Sequence, residues 1–405
     1  MNSIRRVIFA VACVFAIVCN SVRADDFFPL GLWYEGGVGD ARDNVLPADP
    51  ATAAPIYEKN FADIAAHGIN LIVVPNSPPE HHKLVLDTAE KHHLKVILEL
   101  GLDGGALGHM IRGDRAMDDH VIAETLQNVL APIKDHPALL RVQLLDEPPG
   151  DAFARYGHVA ESVRKFNPRT LPFCCLTGDS NGDAFLAASK SDVIAFDMYP
   201  LAPGAKEGDA KPLKDFATYA DRFAGCATKH DDARSWAVIQ CHAITGGLRF
   251  PTPAEVRCMT YSSLATGNKG VFWFLYQSER VGPAMMDGLV DRQFKARPLW
   301  DEVGKLAKEL APVAAILAKL KPDAINLEST ADLARAFSDG GGNTYVIAVN
   351  FDTLHAKQIT LKLPGDYHGL KRLVHGNSDD ATNSRDALTW SAKLDPGDGA
   401  IFRVR

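Results

Sequence analysis

Carboxylates recur in this chain at the ends of short apolar segments: Glu35 after Trp33-Tyr34, Asp146 and Glu147 after Leu144-Leu145, Asp197 after Phe196, and Glu279 beyond Trp273 and Tyr276. Burying a carboxylate without a partner is costly, so a fold that gathers such groups at one place must supply a counter-charge, a metal or a chemical task. Paired carboxyls suit the cleavage of a glycosidic bond, in which one protonates the departing oxygen while the other attacks the anomeric carbon or activates water. Glu147, Asp197 and Glu279 are the candidates for that chemistry. Trp33, Tyr199, Trp273 and Tyr276 could stack on sugar faces, and Glu35, Asn76, Asp146, Gln240 and His242 could hydrogen-bond hydroxyls. The pairs His81-His82 and His92-His93 lack the H-x-H or H-E-x-x-H spacing of a metal site and read as surface. Neither a metal nor a cofactor is expected.

The elements that must position these residues form a repeating pattern. Eight segments rich in Val, Ile, Phe and Leu run from Phe28 to Glu35, Ile69 to Asn76, Leu94 to Gly101, Leu140 to Glu147, Leu171 to Thr177, Val193 to Tyr199, Trp236 to His242 and Val271 to Tyr276. Amphipathic stretches lie between them, among them Ala54 to His67, Glu80 to His92, Ala152 to Phe166 and Pro253 to Thr266, which predicts repeated βα units. No G-x-G-x-x-G turn follows the first segment, so a doubly wound sheet is disfavoured and an α/β fold of the (β/α)₈ TIM-barrel type over 25–321 is expected. A last long helix from about Arg297 to Leu320 precedes Lys321-Pro322. Beyond it, alternating segments with Gly and Pro turns predict a small all-β sandwich over 322–405. In such barrels active sites form at the C-terminal ends of the strands, where the carboxylates above fall.

One segment carries a family likeness. His136-Pro137-Ala138-Leu139-Leu140, leading through Leu144-Leu145 to Asp146-Glu147-Pro148, resembles the fourth strand of the large clan of TIM-barrel glycoside hydrolases that includes β-galactosidases and cellulases. The resemblance implies that Glu147 is the general acid/base. Arg164 to Pro172 fits the way those barrels enter their fifth strand, Asp192 to Pro200 resembles the sixth, and Tyr261 to Tyr276 resembles the last helix and eighth strand, so the likeness covers most of residues 28 to 320. The departure is on strand seven. Ala237-Val238-Ile239-Gln240-Cys241-His242 places Gln240 where the clan has its nucleophilic glutamate, and an amide neither attacks an anomeric carbon usefully nor deprotonates water. Either another strand supplies the second carboxylate, Asp197 or Glu279, or the barrel binds glycans without cleaving them. A pairing of Asp146 with Asp197, as in α-galactosidase-like barrels, is a further alternative, and Asp146 could equally orient Glu147 or cap the next helix.

Partners follow from charge and from the first residues. Arg5-Arg6, an apolar run from Val7 to Cys19 and small residues at Val22 and Ala24 form a signal-peptide pattern with cleavage near Ala24, which predicts a secreted or periplasmic protein. A lipid-modified Cys19 is the competing reading, with Val18 bulky for that role. No later stretch reaches the roughly 20 apolar residues of a membrane span, so no stable membrane anchor is expected. The net charge is −7, and three units lower without Arg5, Arg6 and Arg23. With no Lys/Arg-dense run, nucleic acid is not expected as a partner and a neutral or basic substrate is easier to accommodate; the carboxylates and the family likeness make the expected substrate a poly- or oligosaccharide. Cys174, Cys175, Cys226, Cys241 and Cys258 remain after cleavage. Cys226 and Cys258 fall in successive helices and could pair, or all five could be buried small hydrophobes.

Overall fold

The computed structural model describes residues 27–34, 46–101, 104–230, 233–364, 367, 369–374, 382–383 and 389–405. Glu35 and the N-terminal segment lie outside the described residues. Eight parallel strands are laid down as β1 Leu30–Trp33, β2 Leu71–Val74, β3 Lys95–Glu99, β4 Leu139–Gln143, β5 in two pieces (Leu171–Phe173 and Cys175–Thr177), β6 Val193–Asp197, β7 Arg234–Gln240 and β8 Val271–Phe274. Neighbours pair in sequence order, and β1 pairs with β8 through Leu30 and Val271. The ring closes at β5, whose first piece pairs with β4 (Arg141 with Leu171) and whose second pairs with β6 (Cys175 with Ala195), either side of a break at Cys174. This is the expected (β/α)₈ barrel.

Strands such as Leu71–Val74 are apolar at every position because both faces of a parallel sheet are covered. One face turns into the lumen, where Phe173, Trp236 and Phe272 pack with Trp33, Ile97 and Val193. Arg141 fills the floor beside them, its guanidinium 5.2 Å from the Trp236 ring and paired with Asp192 at 2.8 and 2.6 Å. The other face, with Leu32, Ile72, Val74 and Trp273, packs against the helices. These are α1 Pro50–Ala66, α2 Pro79–Lys91, α3 Gly105–Arg112, α4 Asp119–Thr125, α5 Phe153–Phe166, α6 Gly182–Ser189, α7 Ala210–Thr228, α8 Pro253–Ala265, α9 Pro298–Leu310 and α10 Ala314–Lys319. Capping defines their starts: Asp49 accepts from the Thr52 amide, and Thr252 and Glu255 form a reciprocal capping box.

From Lys321 onward the chain forms two antiparallel sheets. One orders Lys321–Pro322, Leu333–Ser338, Thr344–Val349, Gly399–Val404 and Leu370–Arg372; the other orders Glu328–Ser329, Lys357–Lys362, Thr389–Leu394 and Thr382–Asn383. Val346, Ile359, Leu361, Trp390 and Phe402 fill the space between them. The sandwich docks on α8, which is why that helix is buried on almost every side. At Gly397 (φ 65°) the backbone approaches so closely that a Cβ would stand 2.1 Å from the Ala254 carbonyl oxygen. Arg257 of α8 ties the two parts together, meeting Asp398 at 2.7 Å and Glu309 at 3.1 Å.

Several expectations need correction. The single helix expected from Arg297 to Leu320 is α9 and α10 separated by a 3₁₀ turn, Ala311–Val313, because Pro312 cannot continue the α-helical ladder. His81 and His82 are buried instead of exposed: His81 bonds the Tyr57 hydroxyl and the Ala48 carbonyl, and His82 the Ser77 carbonyl. Cys226 and Cys258 do not pair; all five described cysteines are buried thiols. A three-stranded sheet that the sequence reading did not foresee, Glu279–Val281, Ala284–Asp287 and Ala243–Ile244, stands at the barrel mouth. No helix among the described residues is long and apolar enough to cross a membrane.

Candidate active site

The C-terminal ends of the strands open into a cleft of about 330 Å³. Asp146 and Glu147 enter it from the turn after β4. Glu147 adopts a left-handed backbone (φ 45°), a conformation that costs a side-chain-bearing residue about 1 kcal/mol and persists where surrounding structure imposes it. Here its amide donates to the Cys175 carbonyl across the β5 break at 3.0 Å. Asp197 closes β6 in the same inward register as Ala195, and Tyr199 follows two residues later, both lining the cleft.

The Asp197 carboxyl lies close to that of Glu147 and to the Tyr199 hydroxyl in the same cleft. Carboxyls set this close disfavour two charges side by side, which favours the protonated form of Asp197. Loss of water, then the Glu147 charge, push the Asp197 pKa up to about 8. Asp146, like Glu147, is exposed to the cleft. Desolvation, then repulsion from Glu147, Asp197 and Glu99, raises its carboxyl well above the usual range. Glu279 reaches the cleft from the mouth sheet and is itself buried.

The walls are aromatic and apolar. Trp33 at the end of β1 lies 5.8 Å from Phe274, which in turn stacks on Tyr199 at 5.5 Å. His242, just past β7, presents its ring edge-on to Tyr199 and Phe274 at 4.6 and 4.9 Å. Its Nδ1 bonds the Phe274 carbonyl oxygen at 3.1 Å, and a carbonyl only accepts, so the proton sits on Nδ1. Burial lowers its pKa to about 4, and its Nε2 meets no partner.

Four sequence candidates stand elsewhere. Gln240 is fully buried and serves as a staple: its carbonyl accepts the Leu201 amide at 3.0 Å, and its NH₂ donates to Arg249 and His242 carbonyls at 2.9 and 3.3 Å. Trp273 faces α8, with its indole N–H on the Thr260 hydroxyl, and Tyr276 faces α1, with its hydroxyl on Asp63. Asn76, at φ 54°, gives its amide to the buried Glu99 carboxylate at 2.5 Å and does not line the cleft. The structure thus gathers Trp33, Asp146, Glu147, Asp197, Tyr199, His242 and Glu279, and adds Cys175, Val238, Phe274 and the mouth-sheet residues Ile244, Val281 and Met286. Strand parity signals Phe274, since Phe272 already faces the lumen. The Gly282-Pro283 dipeptide signals the turn of the hairpin that carries Glu279, Val281 and Met286. Among the described residues no three His, Cys, Asp or Glu side chains are placed to hold a metal ion. The site can keep a proton on Asp197, offer further carboxyl oxygens nearby, and keep bulk water off one wall.

No family profile matches the chain, and no curated protein matches it in sequence. Solved structures share its fold. A GH2 β-galacturonidase from Eisenbergiella tayi aligns over 70% of this chain and 51% of its own at 16% identity, with a TM-score of 0.51. A β-galactosidase from the psychrophilic Marinomonas ef1 aligns over 72% and 61% at 14% identity (TM-score 0.53), and a β-glucuronidase from Ruminococcus gnavus over 69% and 50% at 11% (TM-score 0.53). The chain therefore spans about half to three-fifths of these proteins. The likeness is one of fold: the chain has the architecture of TIM-barrel glycoside hydrolases with β-sandwich domains.

Proposed function

We propose that this protein is an exported glycoside hydrolase that cleaves O-glycosidic bonds of a poly- or oligosaccharide. The observation that carries the reading is the placing of the Glu147 and Asp197 carboxyls together in an aromatic-walled cleft at the strand ends of a barrel. Glu147 protonates the leaving oxygen, and Asp197, its pKa raised to about 8, keeps its own proton at neutral pH. Carboxyls as close as those of Glu147 and Asp197 stand nearer than the spacing of about 5–5.5 Å used for retention or about 6.5–9.5 Å for inversion. Asp197 is therefore badly placed to act across a sugar ring from Glu147, and Glu279, on another wall, is assigned the nucleophile or base role. Trp33 and Tyr199 bracket the sugar. The basic and apolar N-terminal segment ending near Ala24 supports export, and the barrel (25–321) is assigned the chemistry, with the sandwich (322–405) as its support.

Reducing-end release from plant, bacterial and fungal polysaccharides tests the reading on the mature protein and its Glu147→Gln and Glu279→Gln variants. Release that falls at least about a hundredfold in both supports it; undiminished release from Glu147→Gln overturns the assignment. Gln240 favours a second reading, a barrel that binds glycans without cleaving them. The strand-seven position is committed to holding two loops and has no carboxylate to offer. Tight binding with no release from any substrate would establish that alternative.

A further inference from the structure

The polar wall of the cleft is built of acceptors. Among the described residues that line it, Asp146, Glu147, Asp197 and Glu279 bring carboxyl oxygens, and no Lys or Arg is present. His242 adds an independent acceptor: it is fully buried in the cleft wall, its Nδ1 proton is engaged by Phe274, and its Nε2 lone pair meets no group. Donors are few. They are the Tyr199 hydroxyl and the indole N–H of Trp33.

That inventory discriminates among sugar substituents. An ammonium offers three donors, a positive charge and no lone pair; a hydroxyl offers both roles; a carboxylate offers acceptors alone and a like charge. We propose that the cleft selects a sugar unit carrying a free, protonated amino group and rejects uronates, an inference that rests on the glycosidase reading of the same cleft. An ammonium set between Asp146 and Asp197 gives both carboxyls the counter-charge that the described wall lacks, offsetting the desolvation and the acidic neighbours that raise the Asp146 pKa. A uronate in the same place meets no cation among the described lining residues and an imidazole that cannot donate from its free nitrogen, so nothing there neutralises its charge.

The test is calorimetric titration of the full-length protein at pH 6 with four disaccharides: the β-1,4 dimer of glucosamine, its di-N-acetyl form, cellobiose and digalacturonate. The free-amine dimer is expected to bind at least about tenfold tighter than either neutral dimer, with no binding of digalacturonate. Asp146→Asn is expected to cut the amine preference below about threefold, and His242→Phe to weaken amine binding several-fold while circular dichroism stays unchanged. Equal or tighter binding of a neutral or uronate dimer overturns the inference, as does binding of none. An amine preference that survives in Asp146→Asn also overturns it, since that would be attraction to the net negative surface. Reducing-end release from the same dimers separates this inference from its premise. Cellobiose cleaved as efficiently as the amine dimer removes the selectivity and keeps the hydrolase; selective amine binding without cleavage keeps the selectivity and removes the hydrolase.

Discussion

Asp192 and Asp197 stand at the two ends of β6, and the protein treats them oppositely. Burial pushes the Asp192 carboxyl up, but the two-pronged contact with Arg141 outweighs it and holds the pKa below the usual range. Burial pushes Asp197 up as well, and there the nearest charged neighbour is another carboxyl, so the shift adds instead of cancelling. One acid at the floor of the barrel is neutralised by a guanidinium; the other, one strand length away, is left in acidic company. Where the fold needs strength it supplies the counter-charge, and where it holds a reserve of protons it withholds one.

Four measurements sharpen or break that contrast. At the mouth, Glu147→Gln should lower kcat by about three orders of magnitude while leaving the unfolding midpoint within a few degrees, checked by reducing-end release and thermal melting. At the floor, Arg141→Met should leave Asp192 without its partner and cost about 3 kcal/mol in denaturant unfolding, with kcat per folded molecule within twofold. If that variant loses activity while its stability is unchanged, the division of labour between the two ends is wrong. Gln240→Glu should cost about 2 kcal/mol, because a carboxylate cannot donate to the Arg249 and His242 carbonyls, and it should restore no nucleophile. The smallest effects are in pH dependence. A raised carboxyl binds its proton in the folded state, so the stability Asp197 contributes is present at acid pH and is lost as pH rises from about 4 through about 8. Asp192 has the opposite sign: its contribution is present above the ordinary carboxylate range and is lost as pH falls below it. Melting curves from pH 3 to 9 should therefore flatten on the alkaline side in Asp197→Asn and on the acid side in Asp192→Asn, each by about 1 kcal/mol.

The barrel was legible because eight apolar runs separated by amphipathic stretches leave little topological choice, and the C-terminal strand ends then single out Asp146, Glu147 and Asp197. The facing of individual side chains was harder to read. Both faces of a parallel strand are apolar, so hydrophobicity does not say which turns inward, and an error of one position exchanges lumen for helix layer. That is how Trp273 and Tyr276 drew attention while Phe274 holds the wall. Gln240 illustrates a different limit: its place at a strand end was evident, but its duties depend on the loops carrying Leu201 and Arg249, whose approach no local pattern encodes. The mouth sheet was missed because its strands are two to four residues long and its third member, Ala243–Ile244, comes from a separate loop.

The ring topology also sets a schedule. β1 takes half of its ladder from β2 and half from β8, whose first residue, Val271, pairs with Leu30 from the far end of the barrel. At translation rates of about 5–20 residues per second, the edge of β1 waits roughly 10–50 s for that neighbour. An unpaired edge is an invitation to foreign strands. The Asn70 side chain accepts from the Leu30 amide at 2.9 Å and donates to the Phe28 carbonyl at 3.1 Å, holding β1 in register beside β2. It pins the first stave while the last one is still being made.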